Sequence, residues 1–167
     1  MRILVDAMGG DHAPEAIVRG CMEAIKCKDG YEILLIGDSD KINKILKENN
    51  FKNSRLKVIH AHEIITNEDM PTRAIRRKKN SSMVVGYNML KRNEGDVFIS
   101  AGSTGALLTG ALLILGRLKG IDRPALGAII PTKSGKALLV DAGLNSTCKP
   151  INLLQFAVFG SIYMKEL

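Results

Sequence analysis

The feature that most constrains this chain is a rhythm. Short apolar runs of strand length, each leading into a polar or glycine turn, alternate with amphipathic segments of helical period. Arg2–Asp6 (RILVD), Glu32–Gly37 (EILLIG), Leu56–Ile59 (LKVI) and Asp96–Ser100 (DVFIS) are nearly continuous apolar runs. Strands of that kind are buried on both faces, which is the habit of parallel sheets. Between the first two, Ile17, Val18, Cys21, Met22 and Ile25 recur at helical spacing. Pro14 stands just before them, where its fixed φ suits a first helical turn.

The same reading continues down the chain. Asp40 is placed to cap a helix carrying Ile42, Ile45 and Leu46 on one face, and His60–Asp69 reads as a polar connection. Pro71 opens a basic helix through Lys79, and Ser81 or Ser82 caps another through Lys91. Gly105–Gly116 (GALLTGALLILG) falls short of the roughly 20 residues of a membrane span and predicts a helix buried on most sides. Ala125–Ile130 and Ala137–Val140 read as two strands joined by a hairpin loop at Thr132–Gly135. Asp141–Lys149 is a polar turn, and Pro150 opens a last helix towards Leu167. The whole predicts an α/β fold, a mostly parallel sheet with helices on both faces, in one domain of ordinary size without a linker or repeat. The start, MRILVDAMGG, enters a strand directly and reads as having no signal peptide. The final run, LLQFAVFGSIYMKEL, carries no helix stop signal, so more chain is expected after it.

Charge narrows the partners. Lys and Arg number 24 against 17 Asp and Glu, a formal +7, which favours anionic ligands or surfaces. Aromatic residues are only 4%, Trp is absent and no reader motif occurs, so nucleic acid is not an expected partner. With 46% hydrophobic and 25% charged residues, a disordered or fibrous chain is excluded. Cys21, Cys27 and Cys148 form no CxxC or Cys/His metal pattern. They read as packing thiols in a reducing cytoplasm, and no metal or cofactor is expected. Cys148 beside Lys149 could be an activated thiol, but with no His partner in view packing is the favoured reading.

In open α/β sheets, ligands bind beyond the carboxyl ends of the strands. Three turns are expected there: Asp6 to His12, Ser100 to Gly105, and Asp141 to Thr147. Glycine at Gly9, Gly10, Gly102 and Gly105 lets backbone approach a ligand, and Ser103 and Thr104 add hydroxyl donors. Together they suit a phosphate; the competing reading is that tight strand-to-helix turns need glycine anyway. No P-loop or G-x-G-x-x-G fingerprint is present. Asp11 beside His12 sets a carboxylate next to an imidazole, for proton movement or orientation; a His12 bonded to backbone in a capped turn is the plainer alternative. His60 and His62 read as structural. Arg73, Arg76 and Arg77 share one helix face and, with Lys78 and Lys79, form the densest charge, either a solvated face or a dock for an anion.

VDAMGGDHAPEAIVRG, the segment from Met70-Pro71 through Ser81-Ser82-Met83, SAGSTGALLTGALLILGRLKGIDRPALG and LLQFAVFGSIY resemble, in order, the bacterial phosphate acyltransferases (acyl-ACP:phosphate transacylases). The resemblance covers the whole chain, and implies that residues 1–167 are the amino-terminal portion of a protein about twice as long. It implies a fold similar to phosphotransacetylases and to isocitrate and isopropylmalate dehydrogenases. It also implies transfer of a fatty acyl group from acyl carrier protein to inorganic phosphate, giving acyl phosphate for phospholipid synthesis. Implied too are a cytoplasmic homodimer and peripheral membrane association through the other half.

On that reading His12, Asp11 and Lys78 are the catalytic candidates. Gly9, Gly10, Gly102, Ser103, Thr104, Gly105 and Asn145 are the phosphate and acyl site, and Arg73, Arg76, Arg77 and Lys79 dock the acidic carrier. The chain departs from the family at Leu144, where a small residue is usual, and in lacking an acidic residue near Cys148. The alternatives are a non-catalytic fragment that binds phosphate or carrier protein, and a related transacylase that uses acyl-CoA.

Overall fold

The computed structural model describes residues 1–143, 145 and 147–166, so Leu144 lies outside the described residues. The chain forms two compact units, Met1–Gly116 and Arg117–Leu167. The physical break is the end of a helical segment at Gly116, whose φ of +86° a residue with a side chain rarely adopts.

The first unit holds β1 (Arg2–Asp6), α1 (Glu15–Cys27), β2 (Glu32–Gly37), α2 (Ser39–Glu48), β3 (Leu56–His60), α3 (Pro71–Arg77), α4 (Ser82–Lys91), β4 (Val97–Ile99) and α5 (Thr104–Gly110). Its four strands are parallel in the order β3-β2-β1-β4, with Val5 opposite both Leu35 and Ile99. Side chains alternate across the sheet. Val5, Ile33 and Leu35 pack with Val18, Met22 and Ile25 of α1 and Ile42 of α2. Leu4, Leu34 and Ile36 face the other way, towards Met89 of α4. Both faces are therefore covered, as the continuous apolar runs required. A third cluster, with Ile75, Met83 and Tyr87 at its centre, joins α3, α4 and α5.

The local expectations are met with shifts. Asp38, not Asp40, caps α2, its carboxylate accepting from the Asp40 and Lys41 N–H groups; capping acts on the second and third helical N–H, so the cap lies before the first turn. Ser81 caps α4 by accepting from Val84 N–H. The basic helix stops at Arg77, and Lys78 leaves it. The segment Gly105–Gly116 is not buried on most sides. After α5 it continues as a π-helical stretch, Ala111–Leu115, in which no residue is buried and Leu113 is 49% exposed.

The second unit is an antiparallel hairpin, β5 (Gly127–Thr132) and β6 (Gly135–Val140), followed by α6 (Pro150–Glu166). Asn152 of α6 donates to the Asp122 carboxylate at 2.7 Å, and its side-chain oxygen accepts from Lys149 N–H at 2.8 Å. Only Asn152 and Phe156 of α6 are buried. Cys21 packs in the core, where burial pushes its thiol up to about 11, but Cys27 and Cys148 are exposed, so the packing reading fails for those two.

Leu35 is fully buried between strand neighbours and α1. Leu35→Ala should cost about 3 kcal/mol in urea unfolding through the cavity it leaves. Leu113→Ala, on the exposed π-helical turn, should stay within about 0.5 kcal/mol. Equal losses would contradict this assignment of the core.

Candidate functional site

The strand order fixes where a ligand crevice opens. The chain runs outward through β1, β2 and β3, then crosses back to lay β4 on the other side of β1. The connection from β1 runs to β2 on one side while β4 lies on the other, and the gap between the β1 and β4 turns lies beyond the strands' carboxyl ends. Asp6 is the last residue of β1, and Ser100 follows the last residue of β4.

Asp6 is 3% exposed, and its carboxylate organises both turns. One oxygen accepts from Met8 N–H at 3.1 Å; the other accepts from the Ser100 hydroxyl at 2.7 Å. Ser100 Oγ in turn accepts from Gly102 N–H at 3.1 Å. The turns meet through glycine. A Cβ on Gly9 would stand 2.6 Å from Asp6 Oδ2, 2.8 Å from Gly102 N and 2.9 Å from Ser100 Oγ. Gly10 holds a φ of +107°, which also favours glycine. Tyr87 packs close by. Burial, and then the Asp6 charge, hold its phenol protonated well above the usual range, and it donates to Leu107 O at 2.6 Å.

A cleft of about 340 Å³ opens over these turns. Gly10 and Asp11 line it on one side, Gly102 and Ser103 on another, with Lys41 of α2 and Thr66–Glu68 closing the wall. The segment 61–70 is thus part of the site and no mere connection. It is pinned by Lys78, whose ammonium donates to Ile64 O at 2.8 Å and to Asp69 at 2.5 Å. Asp69 also accepts from Thr66 N–H at 2.8 Å. The Lys78 bond foremost, with the Thr66 N–H, holds the Asp69 carboxyl below its ordinary value.

The predicted site residues therefore separate into groups. Gly9, Gly10, Gly102 and Ser103 converge at the crevice, Ser103 also capping α5 by accepting from Ala106 N–H at 3.4 Å. Thr104 is exposed at the start of α5, and Gly105 abuts Pro71, which a Cβ there would approach to 3.0 Å. Asp11 sits at the cleft rim and is exposed. His12 is exposed and outside the cleft lining, and its ring makes no hydrogen bond among the described residues, so the backbone-bonded reading of it fails.

Lys78 borders a neighbouring cleft, with its charge already bonded. Asn145 belongs to the second unit, where its side-chain nitrogen donates to Pro124 O and Asp141, each at 3.0 Å. Arg73, Arg76, Arg77 and Lys79 are exposed. No group of three or more His, Cys, Asp or Glu is placed to hold a metal among the described residues.

Sequence reasoning named Asp6 and Ser100 only as the first residues of their turns, and gave no role to Lys41, Thr66 or Asn67. Asp6 had a signal: a carboxylate closing an apolar strand is buried and must find donors.

The description "Fatty acid synthesis protein" is carried by the family whose sequence profile matches residues 1–167. The chain belongs to that family. Relatives named phosphate acyltransferase include those of Acetivibrio thermocellus, 63% identical, Alkaliphilus oremlandii, 53%, and Thermoanaerobacter pseudethanolicus, 52%, each over all 167 residues. The chain spans about half the length of these curated relatives, between 49% and 50%. In fold, this fatty acid synthesis family member is similar to the EutD phosphotransacetylase of Staphylococcus aureus, with a TM-score of 0.66 and 17% identity over 95% of this chain and 51% of that one. A phosphotransacetylase from Streptococcus pyogenes matches with the same TM-score and coverage at 20% identity. The α/β fold expected from the sequence is confirmed.

Two outcomes follow for the family member. Gly9→Ala should lower stability by about 2 kcal/mol in a denaturant titration, because the added methyl meets backbone and two bonded oxygens; an unchanged midpoint would contradict the glycine-to-glycine contact. Asp69→Asn should cost about 1 kcal/mol at neutral pH, discounted for partial exposure. A depressed folded pKa contributes stability above the ordinary value of 3.8 and loses it as pH falls through the folded value. The wild-type advantage should hold at neutral pH and shrink below about pH 4. A gap that widens there would refute the Lys78 pairing.

Proposed function

We propose that the complete protein transfers a fatty acyl group from the thioester of acyl carrier protein to inorganic phosphate, giving acyl phosphate. The observation that supports this best is the meeting of two glycine turns at the β1/β4 reversal, with backbone N–H groups and the Ser103 hydroxyl beside a polar cleft. The relatives' name, phosphate acyltransferase, points the same way. Phosphate is itself the nucleophile: its oxygen adds to the thioester carbonyl, and the tetrahedral intermediate collapses with loss of thiolate. No side-chain nucleophile is needed, and a thiolate leaves without much acid help. The protein must hold a dianion, orient it and stabilise the carbonyl oxygen as charge develops.

In this reading Gly9, Gly10 and the turn from Gly102 to Gly105, with Ser103 and Thr104, hold the phosphate. Asp11 and His12, at and near the rim, manage a proton or position the substrate. Lys78 acts through the loop it pins, as a positioning residue, and Asn145 is a ligand-binding candidate of the second unit. Arg73, Arg76, Arg77 and Lys79 dock the acidic carrier. Homodimerisation and peripheral contact with a membrane belong to the proposal for the complete protein. Among the described residues no helix is long and apolar enough to cross a membrane.

The test is thiol release from acyl-carrier thioester by the complete protein. Release should require phosphate and yield acyl phosphate. Ser103→Ala should raise KM for phosphate about tenfold, the worth of one charge-assisted hydrogen bond. Arg76→Glu with Arg77→Glu should raise KM for the carrier by at least about tenfold and leave that for phosphate alone. Phosphate-independent hydrolysis, or normal use of the carrier by the charge-reversed variant, would sink the respective assignment. Faster turnover with acyl-CoA than with carrier thioester would favour the second transacylase reading.

A further inference from the structure

Beside the phosphate cleft lies a second cleft of about 350 Å³. Arg73 and Arg77 of α3 line it with Met70, Ala74, Glu68 and Asp69. The two arginines stand four residues apart, on one helix face. Elsewhere in the first unit every arginine is engaged. Arg2 donates to Asn93 O, Arg19 pairs with Glu15, Arg55 donates to Ile25 O and Lys28 O, and Arg92 pairs with Glu94. The side chains of Arg73, Arg76, Arg77 and Lys79 make no hydrogen bond or ion pair among the described residues.

Of the acids facing this cleft, Asp69 is already matched by Lys78 at 2.5 Å, which leaves Glu68 against two guanidinium groups. Met70, 72% exposed, supplies apolar surface beside the cations, and the buried Ala74 lines the cleft beneath it. Glu68 lines both clefts, and Pro71, the first residue of α3, touches Gly105 of the phosphate turn. The second cleft therefore adjoins the first, and is cationic and partly apolar.

We propose that this cleft binds the phosphopantetheine arm of the thioester donor, with Arg73 and Arg77 on its phosphate and Met70 and Ala74 against its aliphatic part. The inference rests on the acyl-transfer reading and deepens it, dividing the basic patch by task. Arg73 and Arg77 read the arm, while Arg76 and Lys79 face the acidic surface of the protein that carries it. Planar guanidinium groups suit phosphate oxygens, which accept paired N–H bonds. The arm is common to acyl carrier protein and coenzyme A, so the cleft recognises either source.

The test is calorimetric binding of 4′-phosphopantetheine and of pantetheine to the complete protein, without turnover. The phosphorylated compound should bind about tenfold more tightly, as expected for charge-assisted bonds to phosphate. Arg73→Gln with Arg77→Gln should reduce that preference to less than about twofold. Arg76→Gln with Lys79→Gln should keep the preference while weakening binding of the whole carrier. In turnover, the Arg73/Arg77 pair of substitutions should raise KM for acyl-CoA and for acyl-carrier thioester alike.

Equal binding of the two pantetheine compounds would overturn the proposal, as would an effect of Arg73 and Arg77 confined to the carrier. If the arm binds as stated but no phosphate-dependent thiol release occurs, the acyl-transfer reading fails and the arm site stands. If release occurs without a phosphate preference on the arm, the reverse holds. All four residues are exposed, so unchanged thermal melts separate lost binding from lost folding.

Discussion

The site depends on one buried carboxylate. Asp6 ends β1 in a place from which water is excluded, and an anion there must be met by donors. It takes one from its own turn, Met8 N–H, and one from the turn after β4, the Ser100 hydroxyl. Ser100 passes the order on by accepting from Gly102 N–H. Two loops separated by more than ninety residues are thereby locked together at the single place where the sheet order reverses. Gly9 can be nothing larger, because the space for its Cβ is already filled by those groups. A ligand arriving there meets backbone that is already arranged, which is what binding a small, strongly hydrated anion demands.

Around this fixed centre the other parts are less rigidly determined. Segment 61–70 buries Ala61 and Ile65 in the core, and polar bonds hold the rest of it: Lys78 to Ile64 O and Asp69, and Asp69 to Thr66. It walls two clefts at once, so the same bonds shape the cleft over the glycine turns and the arginine-lined one. Lys78 is best understood through that work, since an ammonium committed to a carboxylate and a carbonyl has little charge to lend elsewhere. The second unit has a different character. Leu153, Leu154, Val158 and Ile162 of α6 are all about half exposed or more, and Ile129, Ile130 and Leu139 of the hairpin add to the apolar surface.

Much of the fold was legible in the sequence because its signals are local. The continuous apolar runs of β1 and β2 specify a strand buried on both faces, and α1 shows its period in Val18, Cys21, Met22 and Ile25. The glycine turns could be placed at strand ends for the same reason. What could not be read depends on contacts between distant parts. Nothing local says that Ser100 bonds Asp6, that Lys78 turns away from the patch it continues, or that the polar run after β3 folds over the site. The apolar stretch Gly105–Gly116 misled in the opposite sense: apolar composition predicts burial, but Leu113 and Leu115 stay open to solvent in this chain.

The central claim is that the β1 and β4 turns, tied by Asp6 and Ser100, form the phosphate site. It is tested most directly by following backbone amide resonances of isotopically labelled protein during titration with inorganic phosphate. The account predicts saturable shifts at Gly9, Gly10, Gly102 and Ser103, all lost in Ser100→Ala, with the arginine-rich face unmoved at low phosphate. Shifts confined to Arg73, Arg76, Arg77 and Lys79, or shifts at the turns that survive Ser100→Ala unchanged, would contradict it.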